Sequence, residues 1–497
     1  MTRPPDSAFD VVVLGGGVAG CVLAARLSEN VDRSVCLVEA GADHGARQEA
    51  WPAPLRNARA LPREHVWERQ AASFRIRARV LGGSSCINGC WNTWGSDADH
   101  AEWARAGGPS WSASGLDRFR RRAIAQMQLA PVPQQELSPW SRAALAGAAD
   151  LGWQEVDMAV PGGPGYGMPL LNAAEGLRRN VAFGYLDQTV RSRPNLTILA
   201  GSTVNRLVVR AGRVCGAEVE VNGQGVTLVA GEYLLACGTF GSPAVLMRSG
   251  IGPAIHLSEV GVRVEVDLPG VGANLTDQPG VFVPLPPTPE LNAGLAAKDR
   301  PGDLYVSRVL VRAASPRCPD GAWDLHLLPT AGPPLFGKLP PWQYEAGISA
   351  FLMKPVSRGR VKLRSADPAD EPEINPAFLS DEDGHDLRAL RHGLDLVADL
   401  AATAPLSALA GPVIGRPGRD LTDGMLRTLA GTYWHPVGTC AMGGQDDVTT
   451  VVTPDARVRG VSNLRVVDAS IMPTVPAANT QLPVLAIAEM LADELRS

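Results

Sequence analysis

The stretch FDVVVLGGGVAGCVLAARLSENVDRSVCLVEAG, residues 9–41, leaves this chain few choices of fold. Val11 to Leu14 form a short apolar run of the kind expected for a strand buried on both faces. Gly15, Gly17 and Gly20 follow it as G-x-G-x-x-G. From Val18 the pattern turns helical, with Val22, Leu23, Ala25 and Leu27 available to pack on a sheet. A second strand, Ser34 to Val38, ends at Glu39, nineteen residues past Gly20. The glycines permit a tight turn and let a pyrophosphate approach a helix N-terminus, whose N–H groups and dipole attract it. Glu39 is placed to accept hydrogen bonds from an adenosine ribose. Strand, helix, strand and terminal acid together predict a dinucleotide site on a parallel α/β sheet. They do not choose between FAD and NAD.

At 497 residues the chain has room for two or three domains. Its net charge of -5 gives no reason to expect a nucleic acid or an anionic membrane as partner. The 8 cysteines are scattered without a CxxC pair, so no metal site is expected. Cys21, Cys36 and Cys237 lie in apolar patterns and read as small buried hydrophobes. The first residues, MTRPPDSAFD, lack the apolar centre of a signal peptide, and no apolar run reaches the roughly 18 residues of a membrane span. The expectation is a cytoplasmic protein with no membrane span.

A second segment, RARVLGGSSCINGCWNTWGSDADHAEWA, runs from Arg77 to Ala104. Small residues around its Gly-Gly-Ser-Ser turn suit close approach to a flat or anionic ligand. On its own it could equally be a polar loop before a helix. Taken with RPNLTILAGSTVNRLVV, GTFGSPAVLMRSGIGP, DLPGVGANLTDQP, KPVSRGRVKLRSADP, WHPVGTCAMG and NLRVVDASIMPTVPAANTQLPVLAIAEMLADEL, the chain resembles the glucose-methanol-choline (GMC) oxidoreductases along nearly its whole length. That is a family of FAD enzymes acting mostly on alcohols, choline dehydrogenase-like enzymes among them.

The resemblance implies an α/β Rossmann-like FAD-binding domain with an inserted α+β substrate domain built on an antiparallel sheet. Residues 1–155, 196–280 and 430–497 would form the first, and 156–195 and 281–429 the second. It also implies that Val80, Gly82, Gly83, Ser84, Asn88 and Gly89 of the second segment, with Val204, Ala236, Asp468, Ala469 and Thr480, contact FAD beside Gly15, Gly17, Gly20 and Glu39. NLRVVDAS independently reads as an apolar strand ending in an acid, as a parallel sheet's carboxyl edge should. Some members attach FAD through a histidine in the GGSS loop. This loop has Cys86, Ile87 and Asn88, so FAD is expected to be held noncovalently.

A lone histidine in an apolar stretch is more often packing than chemistry. His435, in GTYWHPVGTCAMG, is the exception the resemblance singles out. It corresponds to the family histidine over the flavin's reactive face, with Asn479 in VPAANTQLP as its partner. Alcohol oxidation removes a hydroxyl proton and moves a hydride from carbon to flavin N5. An imidazole with a pKa near working pH suits the first task, and an asparagine amide can hold the alcohol oxygen. TQLPVLAIAEMLADELRS reads as an amphipathic helix with Pro483 in its first turn, its positive end toward the flavin. His256, His326, His385 and His392 have no comparable context.

The stretch from Val281 to Gly302 is Pro-rich and predicts a loop. After it LYVSRVLVR, WDLHLLPT, GISAFLMKP and GRVKLRS predict strands of the sheet roofing the flavin, and Leu387, Leu390, Leu394 and Val397 predict a helix. Two departures stand out: NLxDH becomes NLTDQ, with Gln278 for the histidine, and Ala478 precedes Asn479. Trp434 is expected to wall the pocket and to favour an apolar or aromatic alcohol. The leading expectation is an FAD-dependent alcohol oxidase or dehydrogenase, passing electrons to O2 or another acceptor. A hydroxynitrile-lyase-like enzyme without net redox, and a tailoring oxidoreductase acting on a large specialised metabolite, are the alternatives.

Overall fold

The computed structural model describes residues 9–58, 62, 64–67, 76–131, 133–299, 307–333, 344–444 and 447–496. Strand β1 (Phe9–Leu14), helix α1 (Val18–Leu27) and strand β2 (Val35–Val38) follow the predicted order. β1 and β2 pair in parallel with Val11 opposite Val35 and Leu14 opposite Val38. Strands Leu196–Leu199, Ala230–Leu235 and Leu464–Val466 complete an all-parallel sheet, ordered 464–466, 230–235, β1, β2, 196–199. All of β1 except Asp10 is buried, as a strand covered on both faces must be. Its first and last sequence pieces lie 450 residues apart, yet they join one core.

A second, six-stranded sheet is antiparallel throughout. Its strands run in the order Gly431–Thr432, β3 (Pro279–Pro284), β6 (Glu345–Leu352), β5 (Leu325–Gly332), β4 (Leu310–Ala313) and Gly165–Gly167. Period-2 alternation gives it two faces. Val281, Val283, Leu327, Ala331, Ala346 and Ile348 pack into a separate core with the helix Pro139–Asp150 and the helix His385–Ala401. The opposite face, with Phe282, Leu328, Thr330, Ser349 and Phe351, lines a cavity.

The Pro-rich stretch is therefore not a loop. Its first residues belong to β3, because Val281 and Val283 reach the second core, and Pro289–Asp299 is a helix burying Leu291 and Leu295. Proline at the first helical position loses no hydrogen bond, so Pro289 starts the helix where it would break the interior of one. Residues 304–306, the first three of LYVSRVLVR, lie outside those described. GRVKLRS forms a strand, Arg360–Lys362, but pairs with Glu373–Asn375 in a two-stranded ribbon apart from the sheet. Gly359 instead bridges to Leu275, and Val361 joins the first core.

The C-terminal helix Gln481–Arg496 also departs from expectation. It is buried on all sides from Gln481 to Ala492, between α1 and the helix Ala113–Met127, so it is not amphipathic over that length. Its one buried acid in the middle, Glu489, is matched by Arg26 at 2.8 Å and by the Tyr185 hydroxyl at 2.8 Å. No helix of the described residues is long and apolar enough to cross a membrane.

Candidate active site

Between the two sheets lies a cavity of about 1120 Å³. One end is made by the turn from β1 to α1. Gly15 has φ +110°, a left-handed backbone that favours glycine. A Cβ on Gly20 would stand 1.8 Å from the Gly15 carbonyl, whereas one on Gly17 would meet nothing within 4 Å. Gly20 therefore allows helix to pack on strand, and Gly17 leaves open space over the N-terminus of α1. No side chain caps that terminus among the described residues, so its dipole and N–H groups face the cavity. The GGSS turn closes against it, with Gly83 packed so that a Cβ would come within 2.7 Å of Gly17 Cα.

Glu39, at the end of β2, lines the cavity and is buried. Its carboxylate accepts the Gly16 N–H at 2.9 Å and the Gly41 N–H at 2.7 Å. Burial pushes its pKa up to about 7 against those two hydrogen bonds. Asp468 accepts from Gly238 N–H at 2.9 Å and from Ser242 Oγ at 2.6 Å, tying the carboxyl edge of the sheet to the helix Gly238–Arg248. Burial raises its pKa as well.

Of the predicted positions, Gly15, Gly17, Glu39, Gly83, Ser84, Asn88, Gly89, Val204, Ala236, Asp468, Ala469 and Thr480 line the cavity. Gly20, Val80 and Gly82 do not appear in its wall. Val80 is fully buried and bridges to Ala42, and Gly82 turns the chain at φ +97°. These three shape the wall from behind. Cys237, expected to be a buried hydrophobe, is half-buried and lines the cavity. An uncapped helix N-terminus, a glycine with open space above it and an acid at the end of β2 form a cradle that fits a dinucleotide.

At the other end His435 and Asn479 come together across 44 residues. Asn479 Nδ2 lies 3.3 Å from His435 Nε2. Thr93 fixes that amide: its hydroxyl accepts the Asn479 N–H at 2.8 Å and donates to Asn479 Oδ1 at 3.0 Å. On the other side of the ring, Gln278 Oε1 lies 2.7 Å from Nδ1. The neighbouring Asp277 carboxylate accepts the His435 N–H at 2.9 Å and the Thr432 hydroxyl at 2.5 Å. Burial first, and then the Arg77 guanidinium, push the imidazole pKa down to about 3. The expectation of a pKa near working pH therefore does not hold, because an enclosed site beside a cation disfavours imidazolium.

Sequence reasoning left Thr93, Asp277 and Arg77 out of the site and noted Gln278 only as a departure. Their distances along the chain from His435 and Asn479 leave no local signal for any of them except the NLTDQ motif. Aromatic rings complete this end. Tyr433 stacks on Phe351 with centroids 3.9 Å apart and tilts against His435 at 4.4 Å. Trp434 lines the cavity and takes φ +63°, rare for a bulky residue, with its N–H donated to Thr432 Oγ1 at 2.7 Å. His326 is fully buried behind Tyr433.

Comparison with known proteins places this architecture. Family models for the GMC oxidoreductases match residues 9–280 and 355–488. The chain is 32% identical to 5-(hydroxymethyl)furfural oxidase of Methylovorus sp. (strain MP688), covering 99% of each. It is 31% identical to choline oxidase of Arthrobacter globiformis, over 99% of this chain and 95% of the relative. The crystal structure of pyridoxine 4-oxidase from Mesorbium loti superposes with a TM-score of 0.83 at 29% identity, over 98% of this chain and 99% of the other. With both family models matched in order and relatives aligned end to end, the chain belongs to the GMC oxidoreductases and is an FAD-binding enzyme.

Proposed function

We propose that the protein oxidises an alcohol with an aromatic or apolar body to its carbonyl, His435 taking the hydroxyl proton and Asn479 holding the oxygen. The observation that carries this reading is the convergence of His435 Nε2 and Asn479 Nδ2, 3.3 Å apart, on a cavity wall opposite the dinucleotide cradle. Bound FAD supplies the two-electron acceptor for the hydride. The residues of the chain do the rest. With its pKa pushed down to about 3 by burial and Arg77, His435 is neutral at ordinary pH and its lone pair is unprotonated. Asn479, held by Thr93, offers an N–H to the alcohol oxygen and so orients the reacting carbon. Trp91, Phe282, Phe351, Tyr433 and Trp434 line the cavity and provide an apolar wall for the substrate body.

The relatives named as oxidases of 5-(hydroxymethyl)furfural, choline and pyridoxine support this class of reaction. The proposed FAD contacts are the lining positions above, and with no histidine in the GGSS loop the cofactor is held noncovalently. The domain division at 155, 195, 280 and 429 is retained as a proposal, although β3 straddles the third of these points and Pro139–Asp150 packs in the second core.

The test is anaerobic mixing of the purified yellow enzyme with 5-(hydroxymethyl)furfural, choline, pyridoxine and benzyl alcohol. Bleaching by one of them, slowed about 10²–10⁴-fold in His435→Ala with FAD content unchanged, is the expected result. A loss below threefold overturns the role of His435, and no bleaching by any of the four overturns the substrate class. Admitting air afterwards separates O2 from another electron acceptor.

A further inference from the structure

Gln278 is wholly buried, and its side-chain amide can sit in only one sense. Its Nε2 faces carbonyl oxygens of Pro476 at 2.8 Å, Met353 at 3.4 Å and Ala478 at 3.5 Å. Carbonyls only accept, so the NH2 end must face them and Oε1 must face His435. Oε1 in turn only accepts. The 2.7 Å contact with Nδ1 is therefore a hydrogen bond that His435 donates. A neutral imidazole has a single N–H, so Nε2 is left with its lone pair. The amide of Asn479 agrees independently, since it donates toward that nitrogen.

We propose that Gln278 is a positioning residue for the oxidation, holding His435 in the Nδ1–H tautomer so that Nε2 is the proton acceptor. The proposal rests on the reading of His435 as the base. The backbone makes the arrangement rigid. Tyr433 N–H donates to the Gln278 carbonyl at 2.9 Å, and Thr276 and Val437 exchange N–H···O bonds at 3.1 and 2.8 Å. Side chain and imidazole thus ride on two segments zipped together.

The charged and titratable groups facing the ring are Arg77, Asp277, Tyr433 and, behind Tyr433, His326. Asp277 is committed to the backbone N–H groups of His435 and Gln278 and to Thr432. Gln278 is the group that meets Nδ1. A carboxylate there would stabilise imidazolium, whereas an amide accepts the same N–H without adding charge. An imidazole, which the resemblance leads one to expect at this position, could accept or donate at Nδ1. The amide cannot reverse without setting its oxygen against three carbonyls.

The test is 15N NMR of the FAD-loaded protein labelled at histidine, with the His435 signals assigned by their loss in His435→Ala. Wild type is expected to carry the proton on Nδ1 and a bare Nε2 from about pH 5 to 8. In Gln278→Leu the two forms mix, and flavin reduction by an alcohol falls about tenfold or more, within the roughly 10²–10⁴-fold that a general base contributes. Gln278→Glu keeps an acceptor at Nδ1 but adds charge, so Nε2 takes a proton at higher pH than in wild type. A proton on Nε2 in wild type, or an unchanged tautomer in Gln278→Leu, overturns the proposal. Should Gln278→Leu not fold, the wild-type spectrum decides, Nε2–H on the neutral ring being fatal. The base reading fails separately, by His435→Ala leaving flavin reduction within threefold while the tautomer stands.

Discussion

The amide nitrogen of Asn479 lies 3.3 Å from Nε2 of His435, and Thr93, 386 residues before Asn479, aims it there. A single hydroxyl thus orients the amide that meets the proposed base. Asn479→Ala removes that donor. Flavin reduction should slow by about 10²–10³-fold, the usual worth of a donor aimed at developing negative charge. The FAD spectrum at rest should be unchanged. Stopped-flow reduction by a substrate alcohol checks this, and a change below threefold would dismiss Asn479 from the chemistry.

The second prediction concerns pH. Because the folded-state pKa of His435 is pushed down to about 3, the imidazole stays unprotonated as pH falls through its ordinary range near 6.5. Flavin reduction should show no acid limb from His435 between about pH 5 and 8. The same shift has a sign for stability. Between 6.5 and 3 the unfolded chain binds a proton that the folded one does not, so His435 makes the fold less stable as pH drops through that window. Rates measured across the range give the answer. An acid limb near 6.5 that moves with Gln278→Glu would show that the ring titrates normally.

Two glycines of one motif should behave oppositely. A Cβ at position 20 would stand 1.8 Å from the Gly15 carbonyl, so Gly20→Ala forces α1 off its strand. Loss of at least the about 1–3 kcal/mol typical of overpacking is expected, seen as a lower Tm or poor soluble yield. Gly17→Ala meets open space, so the apoprotein should keep its Tm while FAD content drops. Thermal melts with and without added FAD distinguish the two. Equal loss of Tm in both would mean that the cavity over Gly17 is not where the cofactor sits.

Lys354 supports the site from below. It pairs with buried Asp99 at 2.8 Å and with Glu102 at 2.9 Å, and Asp99 also accepts the Ala477 N–H at 3.0 Å, two residues before Asn479. Burial works to raise the Asp99 pKa, yet the lysine and the N–H donors hold it below the usual range. Lys354→Met leaves that carboxylate buried and uncompensated, which typically destabilises by about 3–5 kcal/mol. Chemical denaturation measures it. The doubly substituted Lys354→Met, Asp99→Asn protein should recover part of the loss, and failure to recover would place the lysine's contribution elsewhere.

Much of this molecule was legible in its residues. The run from Val11 to Glu39 determined a parallel sheet and a dinucleotide cradle, because a strand buried on both faces, a glycine turn and a helix leave local patterns in period and spacing. The motifs around His435 and Asn479 pointed to the pair before any geometry was known. What local pattern could not carry was decided by contact. Proline content argued for a loop at 281–302, but Val281 and Val283 had a second core to enter, and burial won. Helix 481–496 carries polar residues that argued for an exposed face, until Arg26 and Tyr185 met Glu489 from elements 463 and 304 residues away.

The pKa of His435 belongs to the same class. An imidazole is basic near neutrality in water, and only the enclosure of the ring, with Arg77 facing it, makes it otherwise. Sequence by itself determined which groups the chain owns and the short-range order that lays out a cofactor site. Tertiary structure alone decided which of them meet across 157 residues, as Gln278 and His435 do, because hydrogen-bond direction and desolvation depend on distances that no spacing along the chain encodes.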